Sequence, residues 1–178
     1  MTGQRAERDG FVAAAFEFCE LFESARELGA ERLLAGLARA LPRLHAAAAS
    51  LPYPDDAEEI PDDDLDVGPS PEEMRAIARP AAEVLREVDW SSVQDQLHES
   101  TVGGRLRRPA RRPIRLFLDD DLRDVYRDVK EGFRLLEAGR PEAEAVFLWR
   151  DSFWSHWGGH NAEALRVVHY YVALHLGG

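Results

Sequence analysis

Apolar side chains recur at spacings of three and four residues along most of the chain, which is the period of an amphipathic α-helix. The first stripe predicts a helix over about 7–28 that ends at Gly29, and the second predicts a helix over 30–50. The short connection between them predicts an antiparallel helical hairpin. The two stripes consist of Phe11, Ala15, Phe18, Phe22 and Ala25, and of Leu34, Leu37, Leu41, Leu44 and Ala48.

The same period predicts three further main helices, over about 70–88, 119–138 and 141–176. Ser70 and Pro71 suit the start of the third helix, because serine caps helix N-termini and proline fits the first helical position. The three consecutive aspartates 119–121 are expected to cap the fourth helix, where they would also complement its dipole.

These patterns predict an all-α protein of one domain covering residues 1–178, with about five main helices in an irregular bundle. A short helical turn is expected after Ser91. Two connecting loops of opposite charge are predicted, an acidic loop over 51–70 and an arginine-rich loop over 103–113. The second contains Arg105, Arg107, Arg108, Arg111 and Arg112.

Composition narrows the choice of environment and partner. The net charge of −11 argues against non-specific binding to nucleic acid or to an anionic membrane. Cys19 is the single cysteine, so no intrachain disulfide can form, which fits a reducing compartment. No apolar run reaches the length of a membrane span and the first residues do not read as a secretion signal, so we expect a cytoplasmic, bacterial-type protein.

Two segments of the C-terminal third carry a specific pattern. Residues 120–130, DDLRDVYRDVK, fit an acidic helix of the form D-D-L-x-D-x-Y-x-D-L-K, with Val129 in place of the leucine. The second segment fits W-x-x-x-F-x-x-x-W-G and then A-L-R, through Trp149, Phe153, Trp157, Gly158, Ala164, Leu165 and Arg166. In these motifs the chain resembles a bacterial family, domain of unknown function 5063. The resemblance implies a helical bacterial domain and implies no activity, substrate or catalytic residue.

The last predicted helix carries the strongest candidate site. At about 100° per residue, His156 and His160 fall one turn apart on the same face as Trp149, with Glu163 at the edge of that face. His169 falls on the opposite side of the helix. Histidines four residues apart can share one metal ion, and a carboxylate can join them.

The neighbouring acidic helix offers further oxygen ligands. Asp121, Asp124 and Asp128 cluster on one flank of that helix by the same arithmetic. The metal hypothesis therefore names His156, His160, Glu163, Asp124 and Asp128 as ligands. The structural alternative, which the sequence favours, is that the two histidines hydrogen-bond to these aspartates with no ion.

Three functions stay open at this point. The sequence favours a non-enzymatic domain that acts through an unidentified protein partner, because no catalytic constellation, phosphate-binding glycine loop or cysteine metal site is present. On this hypothesis no cofactor is expected. The first alternative is a protein, or an enzyme, that uses a divalent metal. The second is a phosphate or nucleic-acid binder acting through the arginine-rich loop, which lacks the aromatic residues that stack on bases.

Overall fold

The computed structural model describes residues 2–54, 67–99 and 114–177. The arginine-rich loop with its five arginines, and most of the acidic loop, lie outside these residues. Within them all regular structure is helical, in agreement with the predicted all-α class. The elements are α1 (Thr2–Glu23), α2 (Ala25–Ala49), α3 (Pro71–Arg86), α4 (Ser91–Glu99), α5 (Ile114–Glu137), α6 (Glu142–Ser152), a π-helical turn (Phe153–Trp157) and α7 (Gly158–His175).

The last three elements are continuous and form one long helix, hereafter the C-terminal helix. The described residues therefore contain six helices, one more than the five or so that the apolar periods predict. The additional helix is α4, which was expected only as a short turn after Ser91. None of the helices in the described ranges is both long and apolar enough to cross a membrane.

The predicted N-terminal hairpin is present, and Gly29 is its hinge. Gly29 has φ 71° and ψ 173°, outside the helical region and at a φ that side-chain-bearing residues rarely adopt. The chain reverses there, so that Glu17 of α1 lies beside Arg43 of α2, with a carboxylate oxygen 3.2 Å from the guanidinium. All ten apolar positions of the two predicted stripes are fully buried.

The start of α3 forms as its sequence predicts. Ser70 and Glu73 make a reciprocal capping box in which each side chain accepts from the other's backbone N–H. Arg134 of α5 reaches the same carboxylate at 3.0 Å. This guanidinium, with the Ser70 hydrogen bonds, lowers the pKa of Glu73 to about 2. The cap therefore also ties α3 to α5.

Helix α5 begins earlier than predicted, and this corrects the expected role of the aspartates 119–121. The helix already runs from Ile114, so the three aspartates lie inside it rather than at its N-cap. The stretch before them continues the apolar face, since Leu118 is fully buried. From inside the helix, Asp120 pairs with Arg123 of the same helix and Asp121 contacts His160 of the C-terminal helix.

The indole of Trp149 joins the C-terminal helix to α5. Its ring is fully buried and its Nε1 donates a hydrogen bond to the backbone carbonyl of Val129 at 2.8 Å. Gly132, one turn further along α5, leaves room for the ring, because a Cβ there would lie 2.2 Å from Nε1. Phe11 and Phe133 complete the packing, with ring centroids 4.9 and 5.2 Å from that of Trp149.

We expect Gly132→Ala to destabilise the protein by about 3 kcal/mol, because overpacking a core and losing a buried hydrogen bond both cost free energy. The free energy of unfolding from chemical denaturation measures this. Gly10→Ala is the control, since a Cβ at that α1 position meets nothing within 4 Å. The control should stabilise the protein by up to about 1 kcal/mol through helix propensity. Equal stabilities for the two variants would contradict the assigned packing.

Candidate metal centre

Helix α5 and the C-terminal helix pack antiparallel, and their seam brings together the histidines and aspartates singled out from the sequence. The Nδ1 atom of His156 lies 2.7 Å from Oδ2 of Asp128. The Nδ1 atom of His160 lies 2.8 Å from Oδ1 of Asp121. Because a carboxylate only accepts hydrogen bonds, each imidazole carries a proton on Nδ1 and donates a hydrogen bond from it to its aspartate. Each ring is thereby held in one orientation.

The remaining ring nitrogen of His160 is directed toward a third aspartate. Nε2 of His160 is 3.6 Å from Oδ2 of Asp124, which is too long for a hydrogen bond. One donor atom from each of His156, His160 and Asp124 lies within 4.8 Å of the other two. Asp128 and Asp121 contribute no atom to this group, since their carboxylates face the Nδ1 side of the rings.

The candidate centre is accessible to solvent. The side chains of His156 and His160 are 40% and 33% exposed, and that of Asp124 is 22% exposed. The supporting aspartates lie deeper, with Asp128 at 8% and Asp121 at 13%. Burial raises the pKa of the Asp121 carboxyl above its ordinary value, and the hydrogen bond from His160 opposes that effect.

Arg127 of α5 links the carboxylate of Asp124, which belongs to the donor group, to that of Asp128, which supports His156. Its Nε and Nη2 lie 3.1 and 3.0 Å from Oδ1 of Asp128, and its Nη1 lies 3.3 Å from Oδ1 of Asp124. The arginine therefore occupies one oxygen of each aspartate. The other oxygen of Asp128 faces His156, and the other oxygen of Asp124 faces His160. Arg127 was not predicted from the sequence, where its place between Asp124 and Asp128 was the available signal.

Glu163, which the metal hypothesis named as a ligand, lies outside the donor group. Its carboxylate accepts two hydrogen bonds from Arg166, at 3.1 and 2.7 Å, and its side chain is mostly exposed. His169 is exposed beside Tyr170, on another part of the helix, as predicted. Of the five proposed ligands, the structure thus brings together His156, His160 and Asp124.

A π-helical turn contains His156 and comes just before His160, so it orients both histidines of the candidate centre. The N–H of Gly158 donates to the carbonyl of Phe153, five residues earlier, as a π turn requires. A Cβ on Gly158 would lie 2.4 Å from that carbonyl oxygen and 2.9 Å from the Phe153 ring. Glycine is therefore required at this position by the turn itself.

This turn corrects the prediction that the histidines share the buried aromatic face. One extra residue between hydrogen-bonding partners rotates everything beyond it by about 100° relative to an uninterrupted α-helix. Phe153 and Trp157 are buried on either side of the turn, while His156 is exposed. The rotation moves the two imidazoles from the core to the flank that faces α5, where the aspartates lie.

The adjacent glycines of the turn should respond oppositely to alanine. Gly158→Ala clashes with the Phe153 carbonyl, so we expect a loss of about 1–3 kcal/mol in the free energy of unfolding. A Cβ on Gly159 meets nothing within 4 Å, so Gly159→Ala should stabilise by up to about 1 kcal/mol. Chemical denaturation of both variants tests this. A stabilising Gly158→Ala would mean that the turn is not needed.

Comparison with known proteins identifies the family. A crystal structure of protein BF1032 from Bacteroides fragilis has a similar fold, with a TM-score of 0.65 at 21% sequence identity over 92% of this chain and 90% of that chain. No curated protein matches the chain. The family model described as "Domain of unknown function (DUF5063)" matches residues 4–174. The motifs of α5 and of the C-terminal helix therefore belong to a member of this family, and the chain is a DUF5063 domain.

Proposed function

We propose that this domain binds one divalent transition-metal ion through His156, His160 and Asp124. The observation that carries the proposal is the convergence of three donor atoms within 4.8 Å of one another on two packed helices. Two imidazole nitrogens and one carboxylate oxygen are a donor set for first-row metals such as zinc and iron(II). Calcium and magnesium prefer oxygen ligands alone, so they fit these residues less well.

The spacing of the donors suits such an ion after the side chains adjust. Two ligand atoms at about 2.1 Å from a tetrahedral metal ion are about 3.4 Å apart. From separations of up to 4.8 Å, the donors need to close by as much as about 1.4 Å. Partly exposed side chains can rotate by that amount without moving either helix.

The hydrogen bonds from the two histidines to the deeper aspartates also support metal binding. Metal-ligating histidines commonly donate their other ring N–H to a carboxylate, which fixes the tautomer and increases the basicity of the ligand nitrogen. Asp128 and Asp121 receive the Nδ1 protons of His156 and His160 in this way. In a neutral imidazole that donates from Nδ1, Nε2 is the nitrogen left to ligate an ion.

Charge favours the same interpretation. With both imidazoles neutral, Asp121, Asp124, Asp128 and Arg127 leave a net charge of −2 on a seam that is partly shielded from water. A divalent cation would neutralise that charge. Histidine–aspartate pairs alone, the structural alternative, account for the Nδ1 contacts but leave Nε2 of His160 facing Asp124 without a hydrogen bond.

We expect untagged protein to bind Zn²⁺ or Co²⁺ at one ion per chain, measured by titration and elemental analysis. His156→Ala, His160→Ala and Asp124→Asn should each abolish stoichiometric binding, because each removes one of three ligands. Asp128→Asn should weaken binding by about 10–100-fold, the usual effect of losing a carboxylate behind a ligating histidine.

Two control variants come from the same helix. His169→Ala removes an exposed histidine remote from the donor group, and Glu163→Gln removes the carboxylate that Arg166 holds. Both should bind metal like the unmodified protein. If the histidine and aspartate variants bind as tightly as these controls, the proposed site is wrong.

Contact with a protein partner is a second candidate, and one surface favours it. Tyr53 and Trp154 are 59% and 66% exposed. Tyr53 packs edge-on against Phe147, and the Arg150 guanidinium lies 5.7 Å from the Tyr53 ring centroid. Trp154 lies one turn beyond Arg150 on the C-terminal helix. Aromatic and arginine side chains of this kind dominate the binding energy of many interfaces.

If this surface binds a partner, replacing Tyr53 and Trp154 together by alanine should remove specific cross-links formed in cells. Cross-linking with mass spectrometry measures the loss. Leu174→Ala, an exposed apolar residue near the other end of the helix, is the matched control. Unchanged cross-links in the double variant would exclude the surface. Phosphate or nucleic-acid binding by the arginine-rich loop stays a prediction outside the described residues.

A further inference from the structure

The donor group leaves part of an ion's coordination shell unfilled. His156, His160 and Asp124 each offer one ligand atom. First-row divalent ions take four to six ligands, and sites with three protein ligands keep the remaining positions for water or substrate. The second oxygen of Asp124 lies beside Arg127, which leaves that carboxylate one oxygen for an ion.

Among the described residues, those nearest to the donors do not occupy the open coordination positions. Asp128 and Asp121 are turned to the Nδ1 side of the rings, and Glu163 is held by Arg166. Both imidazoles remain partly exposed, at 40% for His156 and 33% for His160, so solvent reaches the candidate centre.

The charge around the site limits which ligands can enter. An ion of charge +2 brings the cluster of three carboxylates and Arg127 to neutrality. A ligand with a single negative charge would add one unit of charge near Asp124. A dianion or polyphosphate would add more, close to carboxylates that are shielded from water, where charge repulsion is stronger.

Resting on the proposed function, we propose that the metal is an open centre that binds a small exogenous ligand carrying at most one negative charge. Water, hydroxide and a single carboxylate or carbonyl oxygen belong to this class. Metal ions with an open position polarise such ligands or lower the pKa of bound water. The site thereby provides Lewis-acid chemistry at a solvent-facing seam, and phosphorylated ligands are disfavoured.

Cobalt(II) provides the test, because the wavelengths and intensities of its visible bands depend on the number and type of its ligands. The Co²⁺-loaded protein is titrated with azide, and separately with sulfate at matched ionic strength. We expect a saturable spectral change at one azide per cobalt, and an apparent affinity for sulfate at least about tenfold weaker. His160→Ala under the same conditions identifies any signal from cobalt bound elsewhere.

The outcomes separate this inference from the proposed function. Cobalt that loads in a His160-dependent manner but ignores azide would show a closed centre and overturn the inference, leaving metal binding intact. Sulfate binding as tightly as azide would overturn the charge limit on the ligand. Failure of cobalt to load at all would overturn the proposed function and the inference with it.

Discussion

The hydrogen bond from the Trp149 indole to the Val129 carbonyl is the contact on which the candidate centre depends. A carbonyl inside a helix is a fixed point, so this bond sets both the position and the rotation of the C-terminal helix along α5. Gly132 makes the approach possible because it places no side chain in the path of the ring. The antiparallel register that follows sets Asp128 against His156, and the aspartates one and two turns earlier against His160.

The same register concentrates negative charge at the seam. The aspartates of α5 project from one flank of the helix, and burial alone disfavours their charged forms, as the raised pKa of Asp121 indicates. Arg127 offsets part of this cost by contacting both Asp124 and Asp128. The imidazoles offset a further part of this cost by donating hydrogen bonds from Nδ1 to Asp128 and Asp121. What these groups leave uncompensated is the charge that a divalent cation would neutralise.

The sequence predicted those parts of the architecture that depend on local periodicity. The apolar stripes of α1 and α2, the N-cap at Ser70 and the reversal at Gly29 follow from spacing and backbone preference, and all are present. The start of α5 was misplaced because a run of aspartates resembles an N-cap whether it precedes a helix or lies inside one. Glu163 was predicted as a ligand from its angular position alone. That position gives no sign of Arg166, whose guanidinium holds the Glu163 carboxylate at the surface.

The π turn explains why the faces of the C-terminal helix could not be assigned from an ideal projection. Before the turn the buried stripe runs through Trp149 and Phe153, which an uninterrupted helix places at 0° and about 40°. After the turn it continues through Ala164 and Val168, which the same projection places at about 60° and 100°. A single long helix with one fixed period places the histidines in the core, where neutral apolar neighbours would surround them. The inserted residue keeps the aromatic side chains buried while turning both imidazoles toward carboxylates and solvent. The conformation that glycine permits at position 158 is thus what makes a packed core and an accessible donor group compatible in one helix.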